Sequence, residues 1–163
     1  MVTARAVAET VRDPELPMLT LADLGVLREV SEHDGAVKVS ITPTYTGCPA
    51  MDTMKDDLVH ALQGAGYAHV EVHTVLQPPW SSDWISDKGR RKLAEAGIAP
   101  PGDAPARQSG PVPLTLRPPE RQVSCPHCGA ANTEPLSEFG PTACKAIRRC
   151  GSCAEPFEHV KEI

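Results

Sequence analysis

Aromatic side chains, long apolar runs and positive charge are all scarce in this chain. Only 4% of its 163 residues are aromatic, whereas 40% are hydrophobic, so its core has to be mainly aliphatic. No stretch approaches the roughly 20 apolar residues of a membrane span, and the first residues lack the apolar segment of a secretion signal. A net charge of -5 argues against nucleic acid or an anionic membrane as partner. We therefore expect a cytoplasmic protein.

The six cysteines are distributed unevenly, because one lies at position 48 and five follow position 120. In a reducing compartment such cysteines are more often metal ligands or reactive thiols than disulfide partners. The pairs "CPHC" and "CGSC" lie 21 residues apart, and each pair can direct two thiolates at one ion. The pattern predicts a structural zinc site, although an iron–sulfur cluster could use the same ligands. The four predicted ligands are Cys125, Cys128, Cys150 and Cys153.

Three further side chains leave the composition of this site open. Cys144 lies six residues before Cys150 and is an alternative ligand, a spare thiol, or a thiol with a redox or metal-transfer role. His127 and His159 are expected to be solvated surface residues. Residues 120–163 carry 5 basic and 6 acidic side chains and no Tyr or Trp, which favours a structural or protein-docking role over nucleic-acid binding.

The first part of the chain alternates between helical and strand periodicity. The predicted elements are a helix over 4–12, a hairpin over 25–42, a helix over 49–65, a strand over 67–76 and a short basic helix over 87–96. The turn "HDG" closes the hairpin, and Ser86 is the predicted N-cap of the last helix. This order predicts an α+β domain over 1–98, in which helices pack on a small sheet.

Seven of the twenty residues from 100 to 119 are proline, which favours an extended linker over a packed core. We therefore predict a linker over 99–121 and a separate zinc-ribbon module over 122–163. That module is too small to fold on its apolar content alone, so metal binding would supply most of its folding free energy.

Cys48 stands at the predicted start of the second helix. If Pro49 is the first helical residue, Cys48 occupies the N-cap, where free amides and the helix dipole favour the thiolate. The alternative is a small cap residue in a turn. No histidine lies near Cys48 in the sequence to act as a base, which weakens the hypothesis of a Cys48-dependent thiol enzyme.

Three stretches, "RDPELP" at 12–17, "LADLGVLREV" at 21–30 and "TPTYTGCPA" at 42–50, resemble the SufT-like metal–sulfur cluster assembly family. The resemblance implies a domain tied to iron–sulfur protein maturation, with one surface site formed by Asp13, Glu15, Thr42, Thr44 and Cys48. Cys48 would then be a transient ligand for iron or a cluster. Asp13 and Glu15 would orient the loop or accept protons, unless they only form a helix-ending turn.

The stretch "PPWSSDWISDKGRRKLAEAGIAPP" at 78–101 and the cysteine-rich segment are similar to members of this family from phenylacetate degradation. This resemblance implies an accessory factor without turnover of its own. It would assist iron or iron–sulfur centre assembly in the multicomponent phenylacetyl-CoA epoxidase. The first expected client is the iron–sulfur reductase component, the second is the di-iron oxygenase, and the assembly machinery is a further partner. A structural subunit without metal transfer is the alternative, and self-association stays open. Trp80 and Trp84 would form a second contact surface or pack a short helix on the domain.

Overall fold

The computed structural model describes residues 2–45, 47–105 and 121–163. Most of the predicted linker, residues 106–120, lies outside these ranges. No helix in the described ranges has the length and apolar character needed to cross a membrane.

The predicted hairpin is present as β1 (Leu27–His33) and β2 (Ala36–Ile41), which pair antiparallel. Asp34 and Gly35 both adopt positive φ in the turn, at 49° and 77°, as a tight two-residue hairpin turn requires. Alternate residues of β2 are buried, because one face of the sheet covers the core.

Helix α2 (Met51–Gly64) connects β2 to β3 (His69–Thr74), which pairs parallel to β2 and completes the sheet order β1-β2-β3. α2 buries Met54, Leu58 and Leu62, which recur every four residues on one face. Helix α1 (Ala4–Ala8) is shorter than the predicted helix over 4–12 and contacts both β1 and α2. These elements confirm the predicted α+β class.

Helix α3 (Asp87–Glu95) follows a single 3₁₀ turn at Ser82–Trp84. The predicted cap is confirmed, since Ser86 Oγ accepts the Gly89 amide at 3.0 Å. Trp80 is buried and donates its indole N–H to the Leu24 carbonyl at 2.9 Å. The suggested surface of two tryptophans therefore lacks Trp80, which packs in the core instead.

The second sheet has the strand order β4-β7-β6-β5, with β4 (Ile98–Ala99), β5 (Thr133–Ser137), β6 (Lys145–Cys150) and β7 (Pro156–Val160). β4 follows α3 directly and pairs parallel to β7, whereas β6 pairs antiparallel to both of its neighbours. Ile98 and Val160 belong to the main aliphatic core. The cysteine-rich sheet, here called the ribbon, thus packs on the first unit, which comprises α1–α3 and β1–β3. The predicted domain limits at residues 98 and 122 stay a prediction.

Candidate functional site

The four predicted zinc ligands lie together at the end of the second sheet. Their sulfur atoms are all within 4.8 Å of one another, with 3.8 Å between Cys125 and Cys153 and 3.5 Å between Cys128 and Cys150. Zinc–sulfur bonds of about 2.3 Å in a tetrahedron place sulfur atoms about 3.8 Å apart. The donor set and its spacing therefore fit a closed four-sulfur zinc site.

Backbone amides support this cluster electrostatically. The amides of Cys153 and Ser152 donate to Cys150 Sγ, at 3.5 and 3.3 Å. These bonds, the Cys153 amide first, lower the pKa of Cys150 to about 6. A metal ligand has to be a thiolate, and the amides favour that charge state at Cys150. At Cys153 the Glu155 amide acts in the same direction, but burial and the neighbouring sulfurs outweigh it and raise the pKa to about 12, so a zinc ion would displace that proton.

Cys144 is not a member of this four-sulfur group. It lies immediately before β6 and lines a separate cavity together with Cys48. Its sulfur is 3.1 Å from Thr142 Oγ1, and its carbonyl accepts the Lys161 amide at 2.9 Å. The ribbon thus presents a fifth sulfur to the first unit.

The cavity measures about 30 Å³ and lies between the first unit and the ribbon. That volume is large enough to hold water. The first unit contributes Asp13, Glu15, Leu16, Leu24, Thr44, Tyr45, Cys48, Pro49, Met54 and Trp80, and the ribbon contributes Thr142, Cys144 and Val160. No histidine occurs among these lining residues, so Cys48 has no imidazole base in the cavity.

Asp13 is held in a tight turn at the edge of the cavity. Its Oδ1 accepts the amides of Glu15 and Leu16 at 2.8 and 2.7 Å, and the residue is only 3% exposed. Burial raises the pKa of Asp13, although the two amides and the nearby Lys145 oppose that effect. The acidic turn of the sequence is therefore a buried, structured carboxyl group beside the cavity.

The surroundings of Cys48 differ from the predicted helix cap. α2 begins at Met51 with Ala50 as its N-cap, because the Met51 amide closes a turn onto the Cys48 carbonyl at 3.3 Å. Burial raises the pKa of Cys48, and Asp13 and Cys144 raise it further, while the Ala50 amide and the Tyr45 hydroxyl oppose the increase. The expectation of a thiolate stabilised at a helix N-terminus is therefore wrong.

The two predicted threonines occupy different positions. Thr44 lines the cavity, but Thr42 does not. Thr42 is 1% exposed, and its Oγ1 has no hydrogen-bond partner among the described residues. The structure thus brings Asp13, Glu15, Thr44 and Cys48 to one cavity and leaves Thr42 beneath the surface.

Tyr45, Thr142 and Cys144 complete the cavity, and the sequence did not assign them to it. Burial raises the pKa of Tyr45, and the Cys48 and Cys144 sulfurs add to the effect. The only available signal was the extra cysteine outside the two C-x₂-C pairs. The prediction for His159 was also wrong, because it is buried and its Nε2 lies 3.3 Å from Glu162.

Two protein-family models match the chain. The iron–sulfur cluster assembly protein family matches residues 3–74, and the PaaD zinc beta ribbon domain matches residues 109–161. An Escherichia coli (strain K12) protein, named as one of the subunits of a "Putative 1,2-phenylacetyl-CoA epoxidase", is 41% identical over 158 residues, covering 97% of this chain and 90% of that protein. The chain belongs to the PaaD family.

Two more distant relatives match the first part of this PaaD-family chain. A Porphyromonas gingivalis protein named "Fe-S protein maturation auxiliary factor" is 33% identical over 86 residues, covering 52% of this chain and 81% of that protein. The crystal structure of a DUF59 domain from Bacillus anthracis has a TM-score of 0.51 at 28% identity, covering 55% of this chain and 87% of that one. The assembly fold and the zinc-ribbon resemblance are confirmed. The PaaD-family chain has a role in iron–sulfur cluster assembly, and its relatives are named as an auxiliary factor and a subunit rather than as catalysts.

Proposed function

We propose that this chain is a cytoplasmic accessory factor of phenylacetate catabolism that delivers iron, as an ion or a cluster, to the multicomponent phenylacetyl-CoA epoxidase. Its client is the iron–sulfur reductase component. The similarity to the E. coli protein over 97% of the chain supports the metabolic setting. The observation that carries the proposal is the thiol of Cys48, which faces a small cavity between an iron–sulfur assembly domain and the ribbon.

The chemistry of Cys48 suits a ligand that must release its metal. Its raised pKa keeps the empty site protonated at neutral pH, so iron binding has to displace a proton. That competition weakens the bound state relative to a preformed thiolate. Cys48 therefore acts as a transient ligand, with Asp13 and Glu15 beside it at the cavity wall.

The ribbon has a different task in this proposal. Cys125, Cys128, Cys150 and Cys153 hold one zinc ion, which supplies folding free energy and no redox chemistry. The folded ribbon docks on the assembly domain through β4 and Val160. It also presents a surface for the epoxidase components.

A structural subunit without metal transfer is the second candidate. The name of the E. coli relative, which describes a subunit, is the observation that favours it. The two candidates differ in one respect, since only the first one requires the Cys48 sulfur.

The Cys48→Ser variant separates the two candidates in cells that depend on the epoxidase. Replacing sulfur by a poor iron ligand should lower the cluster content of the purified reductase by about tenfold. Losses of metal affinity of that size follow when the groups around a metal ion are changed. Co-purification of the chain with the epoxidase components should persist. Iron and sulfide analysis of the reductase measures the effect.

Thr53→Ser is the matched control, because Thr53 is exposed on α2 and the change is equally small. A reductase with its full cluster content in cells that carry Cys48→Ser would contradict iron delivery and leave the structural subunit as the function.

A further inference from the structure

Cys144 is the one cysteine in the described residues that neither the zinc group nor the delivery chemistry of Cys48 uses. It faces the same cavity as Cys48 from the opposite unit. Contacts with neighbouring residues hold it in this position.

Three contacts fix Cys144 and its neighbour. The Cys144 carbonyl accepts the Lys161 amide, and its sulfur lies beside the Thr142 hydroxyl. Lys145, the next residue, is only 4% exposed and its Nζ lies 2.9 Å from Glu158 Oε2. These contacts hold the backbone at Cys144 in place beside the cavity.

The cavity combines donors that favour a thiophilic cation. It is lined by two cysteine thiols and by Asp13 and Glu15, and Asp13 and Cys144 each oppose ionisation of Cys48. A bound cation would relieve that repulsion. Sulfur ligands select iron, zinc or copper over magnesium and calcium.

We propose that Cys144 is the second sulfur ligand of the Cys48 site, and that this two-sulfur site binds a single ferrous ion as cargo. The inference rests on the proposed function. The cavity offers two cysteine sulfurs, whereas a cluster of two irons and two sulfides is held by four cysteine thiolates.

Two protein sulfurs leave other coordination positions of the ion open. A closed four-sulfur site retains its metal, whereas an open site accepts ligands from another molecule. The acceptor's own ligands can therefore bind before the ion leaves Cys48 and Cys144. The ribbon cysteines hold the structural zinc, and the cavity cysteines hold the transferable ion.

The test is an anaerobic titration of the zinc-loaded full chain with Co²⁺, a spectroscopic probe for ferrous iron. The wild type should bind one Co²⁺ per chain beyond its zinc, with a sulfur-to-cobalt charge-transfer band. Cys144→Ser and Cys48→Ser should each weaken that binding by about tenfold or more and diminish the band. Ala143→Ser is the matched control, because it places the same residue at an exposed neighbouring position.

The outcomes separate a failure of Cys144 as second ligand from a failure of iron delivery by Cys48. If Cys144→Ser binds Co²⁺ like the wild type while Cys48→Ser does not, the second ligand is wrong and iron delivery by Cys48 stands. If neither variant changes the binding, both proposals are wrong. Loss of the zinc in Cys144→Ser would assign Cys144 to the ribbon and overturn the inference. Uptake of two irons with sulfide would overturn the single-ion cargo.

A second measurement uses only the wild type and so does not depend on the folding of a variant. Bound Co²⁺ should protect both Cys48 and Cys144 from iodoacetamide, as mapped by mass spectrometry of the zinc-loaded protein. Protection of Cys48 alone would count against Cys144 as a ligand.

Discussion

Cys48 shares its cavity with Asp13 and Cys144, and both groups disfavour ionisation of its thiol. Burial acts in the same direction and is the largest effect, while the Ala50 amide and the Tyr45 hydroxyl act against it. Cys48, the metal ligand of the proposed function, is thus a neutral thiol in the empty protein. It becomes a thiolate when a cation replaces its proton.

Alkylation kinetics test this protonation state. The rate of Cys48 alkylation by iodoacetamide should rise with pH through an inflection above that of an ordinary cysteine, because only the thiolate reacts and burial raises its pKa. Asp13→Asn should lower that inflection, since one negative charge is removed. The amide oxygen of Asn can still accept the Glu15 and Leu16 amides.

Asp34→Asn serves as the control, because Asp34 is an exposed turn residue whose positive φ suits asparagine. A Cys48 inflection below pH 8 in the wild type would contradict the claim that burial and neighbouring charge oppose ionisation of this thiol.

At the scale of elements, α3 connects the two units, since only two residues separate its end from β4 and β4 joins the second sheet. Its first turn is held by the Ser86 cap, and Lys92 forms an ion pair with the largely buried Asp23. The stability of α3 therefore contributes to the position of the ribbon.

Ser86→Ala should lower the unfolding free energy by about 1 kcal/mol, because the Gly89 amide loses its side-chain acceptor. Ser86→Asn should restore most of the loss, since asparagine is an equally good N-cap. Urea unfolding of the zinc-loaded chain, followed by circular dichroism, measures both. Equal stability of Ser86→Ala and the wild type would show that the cap contributes nothing.

Local features of the fold could be predicted because neighbouring residues determine them. The Asp34-Gly35 turn, the Ser86 cap and the apolar face of α2 follow from positive φ, side-chain oxygens and four-residue spacing. The grouping of the four ribbon sulfurs follows from two short loops of known geometry.

Long-range features could not be predicted in the same way. Cys48 and Cys144 line the same cavity only because β4 and Val160 dock the ribbon on the first unit. No local sequence pattern indicates that contact. The predicted start of α2 is two residues too early, because a turn onto the Cys48 carbonyl precedes the helix. His159 is buried because it pairs with Glu162, an interaction that periodicity does not reveal.

At the scale of the whole molecule, Glu162 joins separate parts of the chain. It accepts the Gly102 amide at 2.9 Å and lies 3.2 Å from Arg121 and 3.3 Å from His159. Burial alone would raise its pKa, but the nearby His159 and the bond from the Gly102 amide outweigh that and lower the pKa of Glu162 to about 2. The ionised carboxylate therefore stabilises the association of the ribbon with the segment after β4.

Glu162→Gln should lower the unfolding free energy at pH 7 by on the order of 1–2 kcal/mol. The contribution of a carboxyl group with a lowered pKa is complete above its unfolded value, near 4.3, and is lost as the pH falls towards 2. The difference between the two proteins should thus stay constant from pH 7 to pH 5 and shrink below that. Urea unfolding at several pH values measures it.

Both proteins carry the same ribbon, so the pH dependence of zinc binding cancels in their difference. Glu138→Gln, at an exposed ribbon position, should leave stability unchanged. A difference between wild type and Glu162→Gln that grows on acidification would mean that the carboxylate destabilises the fold.

Strand β6 begins one residue after Cys144 and ends at Cys150, so one short segment joins the cavity to the four-sulfur group. Loading of the two metals would then follow a fixed order, with zinc first and iron second. Zinc starvation would stall iron delivery even where iron is plentiful, because Cys48 would face the cargo without its partner sulfur. The supply of zinc would thus limit how much iron the chain can deliver.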